Sequence, residues 1–166
     1  MHYVISKHIL CLSSRNTSIF SAGTAAPLPG DIVTMRSKIK LNAEQLVYKI
    51  ERDFQVPMGL TLSPPTDNVD GLYSIVMVLE GYESLLSDTL DGLPQLKQEV
   101  SSLRGYLDHW KQGLCTEQRP KPPVQGRLAE LQSRKEYIHT VSIEAVMGLK
   151  EFLNQLLKNL DRLETC

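Results

Sequence analysis

Residues 96–115, LKQEVSSLRGYLDHWKQGLC, decide the fold class of this chain. Apolar side chains recur there every three or four residues, which is the period of one face of an α-helix. This apolar row comprises Leu96, Val100, Leu103, Leu107, Trp110 and Leu114. Pro94 suits the first turn of such a helix, because the N–H that proline lacks would have no partner there. We therefore predict a helix over about 94–113 with one face buried in a core.

The same period recurs along the rest of the chain. It predicts helices over about 31–53, 71–88 and 140–163, and a short helix over about 127–137. Thr140 is the predicted N-cap of the last helix. The predicted core row of that helix comprises Ile143, Val146, Leu149, Leu153, Leu156, Leu160 and Leu163. No segment shows the alternation of a half-buried strand, so the predicted fold class is all-α with four main helices.

The connections between the main helices indicate their topology. The segment 55–69 is rich in proline and glycine, and the segment between Cys115 and the short helix resembles it. Each is long enough to cross the roughly 30 Å length of a 20-residue helix. The turn at Asp91-Gly92 is too short for that, so the second and third helices must be antiparallel. Two long crossover loops flanking a short turn predict an up-up-down-down four-helix bundle.

The first 25 residues differ in composition from the rest. They contain no Asp or Glu and end in the small residues SAGTA. This pattern predicts a secretory signal peptide over residues 1–25, cleaved after Ala25 to leave a helical domain over 26–166. Lys7 interrupts the apolar region and makes the signal atypical. A wrongly assigned start of the reading frame and a disordered N-terminal tail are the alternatives.

The cysteines provide a second test of the topology. Of the three in the chain, Cys11 lies in the predicted signal peptide, while Cys115 and Cys166 end the third and last helices. Two cysteines in a secreted domain suggest one disulfide. Parallel third and last helices would place both cysteines at the same end of the bundle, whereas antiparallel helices would separate them by about 30 Å. Since a disulfide needs Cα atoms within about 7 Å, it favours the up-up-down-down order.

Composition and motifs exclude several classes of function. The formal net charge is −1, and −3 for residues 26–166, so we expect no nucleic-acid partner. No apolar run approaches the roughly 18 residues of a membrane-spanning helix, so we expect no membrane insertion. His109 and His139 lack partners at metal-ligand spacing, and no phosphate-binding loop or catalytic motif is present. We therefore expect a protein without catalytic residues, metal or cofactor.

Several stretches, taken together in this order, resemble the leptin family, and most closely its members from bony fishes. The resemblance spans residues 31–166 and includes the cysteine after the third helix and the terminal cysteine. It is carried by SKIKL at 37–41, VYKI at 47–50, GLTLS at 59–63, SSLRGYL at 101–107, residues 149–161, Cys115 and Cys166. It implies a secreted long-chain class I helical cytokine, monomeric when free. Such a hormone binds the leptin receptor and signals through Janus kinases and STAT proteins in energy balance and appetite regulation.

The resemblance also implies two receptor contacts. The first uses the first and third helices, and the second uses the start of the last helix together with the first long loop. Matched by motif, the implied receptor-binding residues are Lys38, Gln45, Lys49, Gln95, Ser102, Tyr106, Thr140 and Val141. The family often has Ser-Thr where this chain has Thr140-Val141. Without the resemblance, Lys38, Gln45 and Lys49 indicate only a solvated helix face, and Tyr106 lies off the apolar row of its helix.

Two other functional classes share the helical periodicity. An apolipoprotein-like lipid carrier would be amphipathic in the same way, but a Cys115–Cys166 closure would hinder its opening onto lipid. An intracellular helical adaptor is favoured if residues 1–25 are not a leader, and it would keep both cysteines reduced.

Overall fold

The computed structural model describes residues 29–54, 71–115, 123, 126–134, 136–163 and 166. These residues contain five α-helices, a short 3-10 helix and no strand, which confirms the all-α fold class. The helices are α1 (Pro29–Asp53), α2 (Leu72–Leu85), α3 (Leu93–Leu114), α4 (Gly126–Ser133) and α5 (Ile138–Asn159), and the 3-10 helix is Leu160–Arg162. The predicted signal peptide and the loop 55–69 lie outside the described residues.

Helix bounds differ from the predictions by a few residues. α1 begins at Pro29 instead of residue 31, since proline fits a first helical turn. α5 begins at Ile138, so the prediction of Thr140 as N-cap is wrong. The N-cap is Tyr137, and it makes no side-chain capping bond. The backbone N–H of Tyr137 bonds the carbonyl of Arg134, which closes a tight turn after α4 and leads directly into α5.

The contacts of α1 establish its direction relative to its neighbours. α1 packs against α3 and α5. Lys49 near the end of α1 pairs with Glu99 near the start of α3. Asp53 at the end of α1 lines the same groove as Ile143 near the start of α5. Both neighbours of α1 are therefore antiparallel to it.

The contacts of α2 give the same result. α2 also packs against α3 and α5. Lys111 near the end of α3 lies 5.0 Å from the ring of Tyr73 at the start of α2. Ser142 near the start of α5 bonds the carbonyl of Leu85 at the end of α2. Consequently α1 runs parallel to α2 and α3 runs parallel to α5, as the predicted up-up-down-down order requires.

The predicted apolar rows form the core, with one exception. Leu103, Leu107 and Leu153 are fully buried, and Trp110 is nearly so. Ile143 was predicted to be buried, but this is wrong, because its side chain is 46% exposed. The preceding Ser142 is buried, and one step along the helix turns the side chain by about 100°, so Ile143 faces away from the core and lines an open groove.

α4 packs on the outside of the bundle across α2 and α5. Two glycines allow this close approach. A Cβ atom at Gly81 would lie 2.5 Å from a methyl group of Leu128 in α4, and one at Gly148 would lie 2.8 Å from the hydroxyl of Tyr82. Ion pairs Arg127–Glu151 and Arg134–Glu144 attach both ends of this short segment to α5. The α2–α5 side of the bundle is therefore covered by the chain itself.

Cys115 and Cys166 form a disulfide, with their Cα atoms 5.7 Å apart. The bond lies at the end of the bundle where α1 and α2 begin, which we call the disulfide pole. There the N–H of Tyr73 also donates to the carbonyl of Cys166. The other end, where α1 and α2 end and α3 and α5 begin, is called the groove pole. No described helix is long and apolar enough to cross a membrane.

Two helix glycines should respond oppositely to substitution by alanine. We expect Gly148→Ala to destabilise the protein by roughly 1–3 kcal/mol, since the new methyl group would clash with Tyr82 and Arg127. Gly105→Ala is the matched control, because no atom lies within 4 Å of its added methyl group. It should stabilise α3 by up to about 1 kcal/mol. The free energy of unfolding in urea measures both changes, and equal effects would contradict the packing role of Gly148.

Loss of the disulfide should weaken the fold substantially. The bond joins residues 51 apart in sequence, for which chain entropy gives a stabilisation of roughly 4 kcal/mol. Domains of this size have a net stability of only about 5–15 kcal/mol. We therefore expect Cys115→Ser and Cys166→Ser to melt well below the parent, and the double variant to match either single one. Thiol titration of the folded parent should detect neither cysteine, and two reactive thiols there would contradict the bond.

Candidate functional site

A continuous exposed surface follows the groove between α1 and α3. The ion pair Lys49–Glu99 marks where the two helices face each other, and residues three or four apart from each partner lie on the same side of its helix. We call this surface the α1–α3 face. It includes Lys38, Gln45 and Lys49 from α1 and Gln95, Ser102 and Tyr106 from α3. The structure thus brings together, on one surface, the six residues that the family resemblance had placed on two separate helices.

Five of these six side chains are exposed, and Lys49 differs from the others. Its Nζ donates to Glu99 at 2.5 Å, and only 14% of its side chain is accessible. The expectation of a freely solvated lysine at this position is therefore wrong. A Lys49→Glu substitution would place two carboxylates together, so it would disturb the α1–α3 packing as well as the surface.

Tyr106 is the large aromatic residue of this face. Its side chain is 36% exposed, in agreement with its position off the apolar row of α3. The neighbouring Leu107 is fully buried, because one step along a helix turns the side chain by about 100°. A partly exposed aromatic ring is suited to insertion into a partner surface.

Two further apolar side chains extend the exposed surface on the outer side of α1. Leu41 is 55% exposed and Tyr48 is 65% exposed, and the guanidinium of Arg52 lies 5.8 Å from the Tyr48 ring. Neither residue was predicted to bind a partner, although apolar side chains at positions off the buried row through Leu46 and Ile50 indicate exposed apolar surface.

The second candidate region is the first turn of α5 at the groove pole. Thr140 is exposed, as a binding role requires. Val141 is 1% exposed and packs in the core, so its side chain is not available to a partner in this structure. Ile138 and Ile143 are 49% and 46% exposed and lie on either side of Thr140 along the chain. The accessible apolar surface here comes from residues that the family motif did not indicate.

A groove of about 410 Å³ adjoins this turn. Its apolar lining comprises Phe54, Leu90, Leu93, Ile143, Val146 and Met147. At its rim, Arg52 donates two hydrogen bonds to Asp53 at 2.6 and 2.9 Å, and this hydrogen bonding is the main cause that lowers the pKa of the Asp53 carboxyl. The rim is therefore charged at neutral pH while the floor is apolar, a combination that recurs at protein-binding surfaces.

The disulfide pole lies at the opposite end of the bundle from this groove. Cys115 and Cys166 are bonded to each other there and thus have a structural role. Among the described residues, no three His, Cys, Asp or Glu side chains are grouped as metal ligands would be. The two exposed regions at the α1–α3 face and the groove pole can therefore act by shape, apolar contact and charge.

The chain was compared with protein-family models and with known proteins. No protein-family model matches it. It is 42% identical over 164 residues to leptin from Takifugu rubripes, an alignment that covers 96% of this chain and 99% of the relative. It is 41% identical over 143 residues to leptin from Tetraodon nigroviridis, covering 86% of this chain and 89% of the relative. Identity of this extent over nearly the whole length, on a helical bundle closed by one disulfide, shows that the chain belongs to the leptin family.

Proposed function

We propose that this chain is a secreted hormone that binds the leptin receptor, a class I cytokine receptor, and signals through the Janus kinase–STAT pathway in energy balance and appetite. The observation that carries this proposal is the near full-length identity with two fish leptins. The up-up-down-down topology supports it, since hormones and cytokines commonly use that bundle. An apolipoprotein-like carrier is disfavoured because the disulfide holds α3 and α5 together at one pole.

The principal receptor contact is proposed at the α1–α3 face. Tyr106 supplies an aromatic anchor, the side-chain type that most often dominates interface energy. Lys38 and Gln45 are exposed polar groups around it that would contribute hydrogen bonds and charge at the rim. Leu41 and Tyr48 enlarge the apolar area on the α1 side. The pattern is that of an apolar centre with a polar border.

A second receptor contact is proposed at the start of α5. Thr140 and Ile143 are exposed there and lie one turn apart on the same side of the helix. This region is at the groove pole, whereas the α1–α3 face runs along the side of the bundle. Two separate contacts would allow one hormone molecule to bring two receptor chains together.

Substitutions at adjacent positions of α3 should separate binding from stability. Tyr106→Ala should raise the Kd for the receptor ectodomain about tenfold or more, because it removes an interface anchor. Its free energy of unfolding should change by no more than about 0.5 kcal/mol. Leu107→Ala should cost roughly 2–5 kcal/mol of stability through a core cavity, with normal affinity per folded molecule. Surface plasmon resonance and urea unfolding measure the two quantities.

This pair also gives the outcome that would contradict the proposal. If Tyr106→Ala unfolds the protein while its folded fraction binds the receptor normally, the tyrosine is a core residue and the α1–α3 face is not the contact. Gln112→Ala provides a control at an exposed α3 position outside the face, and we expect parental affinity and only a small change in stability.

Secretion should be accompanied by removal of residues 1–25. These residues have the composition of a leader, and a disulfide-closed domain is suited to an oxidising compartment. When the full chain is expressed in cultured fish cells, intact-mass spectrometry of the medium should find a protein that starts at Ala26. Recovery of only the full-length chain, with reduced cysteines, from the cytosol would instead support the intracellular adaptor.

A further inference from the structure

We propose that Ser142 is a positioning residue for the second receptor contact, because its hydroxyl fastens the first turns of α5 to the end of α2. The inference rests on the proposed function and adds to it a residue that is itself inaccessible to any receptor. It concerns how the surface formed by Thr140 and Ile143 is held in place, not which groups touch the partner.

The hydroxyl of Ser142 makes two bonds to a neighbouring helix end. Ser142 is fully buried, its Oγ donates to the carbonyl of Leu85 at 2.7 Å, and it accepts the backbone N–H of Ser87 at 3.1 Å. The last carbonyls of a helix have no partner within the helix itself. α2 ends at Leu85, so one side chain from α5 satisfies an acceptor and a donor at that end. A hydroxyl can fill both roles, because it carries one proton and two lone pairs.

This use of a helical serine differs from that of other serines in the described helices. Ser102 donates to the carbonyl of Gln98 in its own helix, and Ser84 donates to the carbonyl of Gly81 in its own helix. Such bonds are local and link nothing else. Ser142 instead connects residues 55 and 57 positions apart in sequence. Its hydroxyl therefore has a tertiary function.

The start of α5 depends on this link because it lacks a cap of its own. Tyr137 precedes the helix and makes no side-chain capping bond. The other attachments of these first turns are the buried side chain of Val141 and the ion pair of Glu144 with Arg134 on the α4 side. The Ser142 bonds fix these turns to α2 through directional contacts. Thr140 lies two positions before Ser142, and Ile143 follows it directly. The same link therefore sets where the side chains of Thr140 and Ile143 project.

The test uses Ser142→Ala with Ser87→Ala as the matched control. Ser87 is also buried, but Ser142 accepts its backbone N–H, so alanine at position 87 keeps that bond and removes a different hydroxyl. We expect Ser142→Ala to lower signalling potency in STAT-phosphorylation assays about tenfold, because it removes both bonds that hold the start of α5 to the end of α2. Ectodomain affinity should stay within about twofold, because the α1–α3 face supplies most of it. Ser87→Ala should match the parent in both assays.

Hydrogen exchange at the Ser87 amide reports the bond directly, and it should accelerate in Ser142→Ala alone. Ser87→Pro removes the bond from the Ser87 N–H but leaves the bond from Ser142 to the carbonyl of Leu85, so it should lower potency by a smaller factor, about threefold. The inference is thereby tested even if Ser142→Ala folds poorly. Parental potency in a variant whose bond is broken would overturn the inference.

Ile143→Glu tests the contact surface itself. If this variant signals normally, the proposed second contact is wrong, while receptor binding at the α1–α3 face still stands.

Discussion

The Cys115–Cys166 bond is the constraint on which the arrangement of this bundle depends. It joins α3 and α5, which are not adjacent in the bundle and lie diagonally across the core. Each of them packs instead against α1 and α2. The bond joins Cys115 at the end of α3 to Cys166 after α5 and so requires these two helices to run parallel. The short turn between α2 and α3 makes α2 antiparallel to both, and the long connection after α1 permits α1 to run parallel to α2.

This arrangement also determines which surfaces are left for a partner. α4 lies across α2 and α5, in a notch formed by Gly81 and Gly148, and so covers that side of the bundle. The α1–α3 side has no such cover from the described residues. At the groove pole, Ile138 and Ile143 of α5 are exposed, while Val141 between them packs in the core. α4 thus covers the α2–α5 side of the bundle, while the α1–α3 face and the start of α5, where the two receptor contacts are proposed, stay exposed.

Several residues show where reasoning from one helix at a time fails. Lys49 and Lys38 are both charged and off the apolar row of α1, yet only Lys49 faces Glu99 on α3 and is largely buried by that pairing. Val141 and Thr140 are adjacent members of the same family motif, but one packs in the core and the other is exposed. In each case the difference depends on where a neighbouring helix packs, and the apolar period of one helix does not specify that position.

The sequence by itself determined the fold class, the topology and the cysteine pairing. Apolar spacing specifies which face of each helix is buried, loop lengths limit which helices can be antiparallel, and the cysteine positions agree with one order of helices. Only the tertiary structure decided that Ile143 is exposed, that α4 fills a glycine notch, and that Ser142 bonds the end of α2. These features arise from contacts between residues distant in sequence. Periodicity describes the surroundings of a side chain on its own helix, whereas burial and hydrogen bonding also depend on what the rest of the chain places against it.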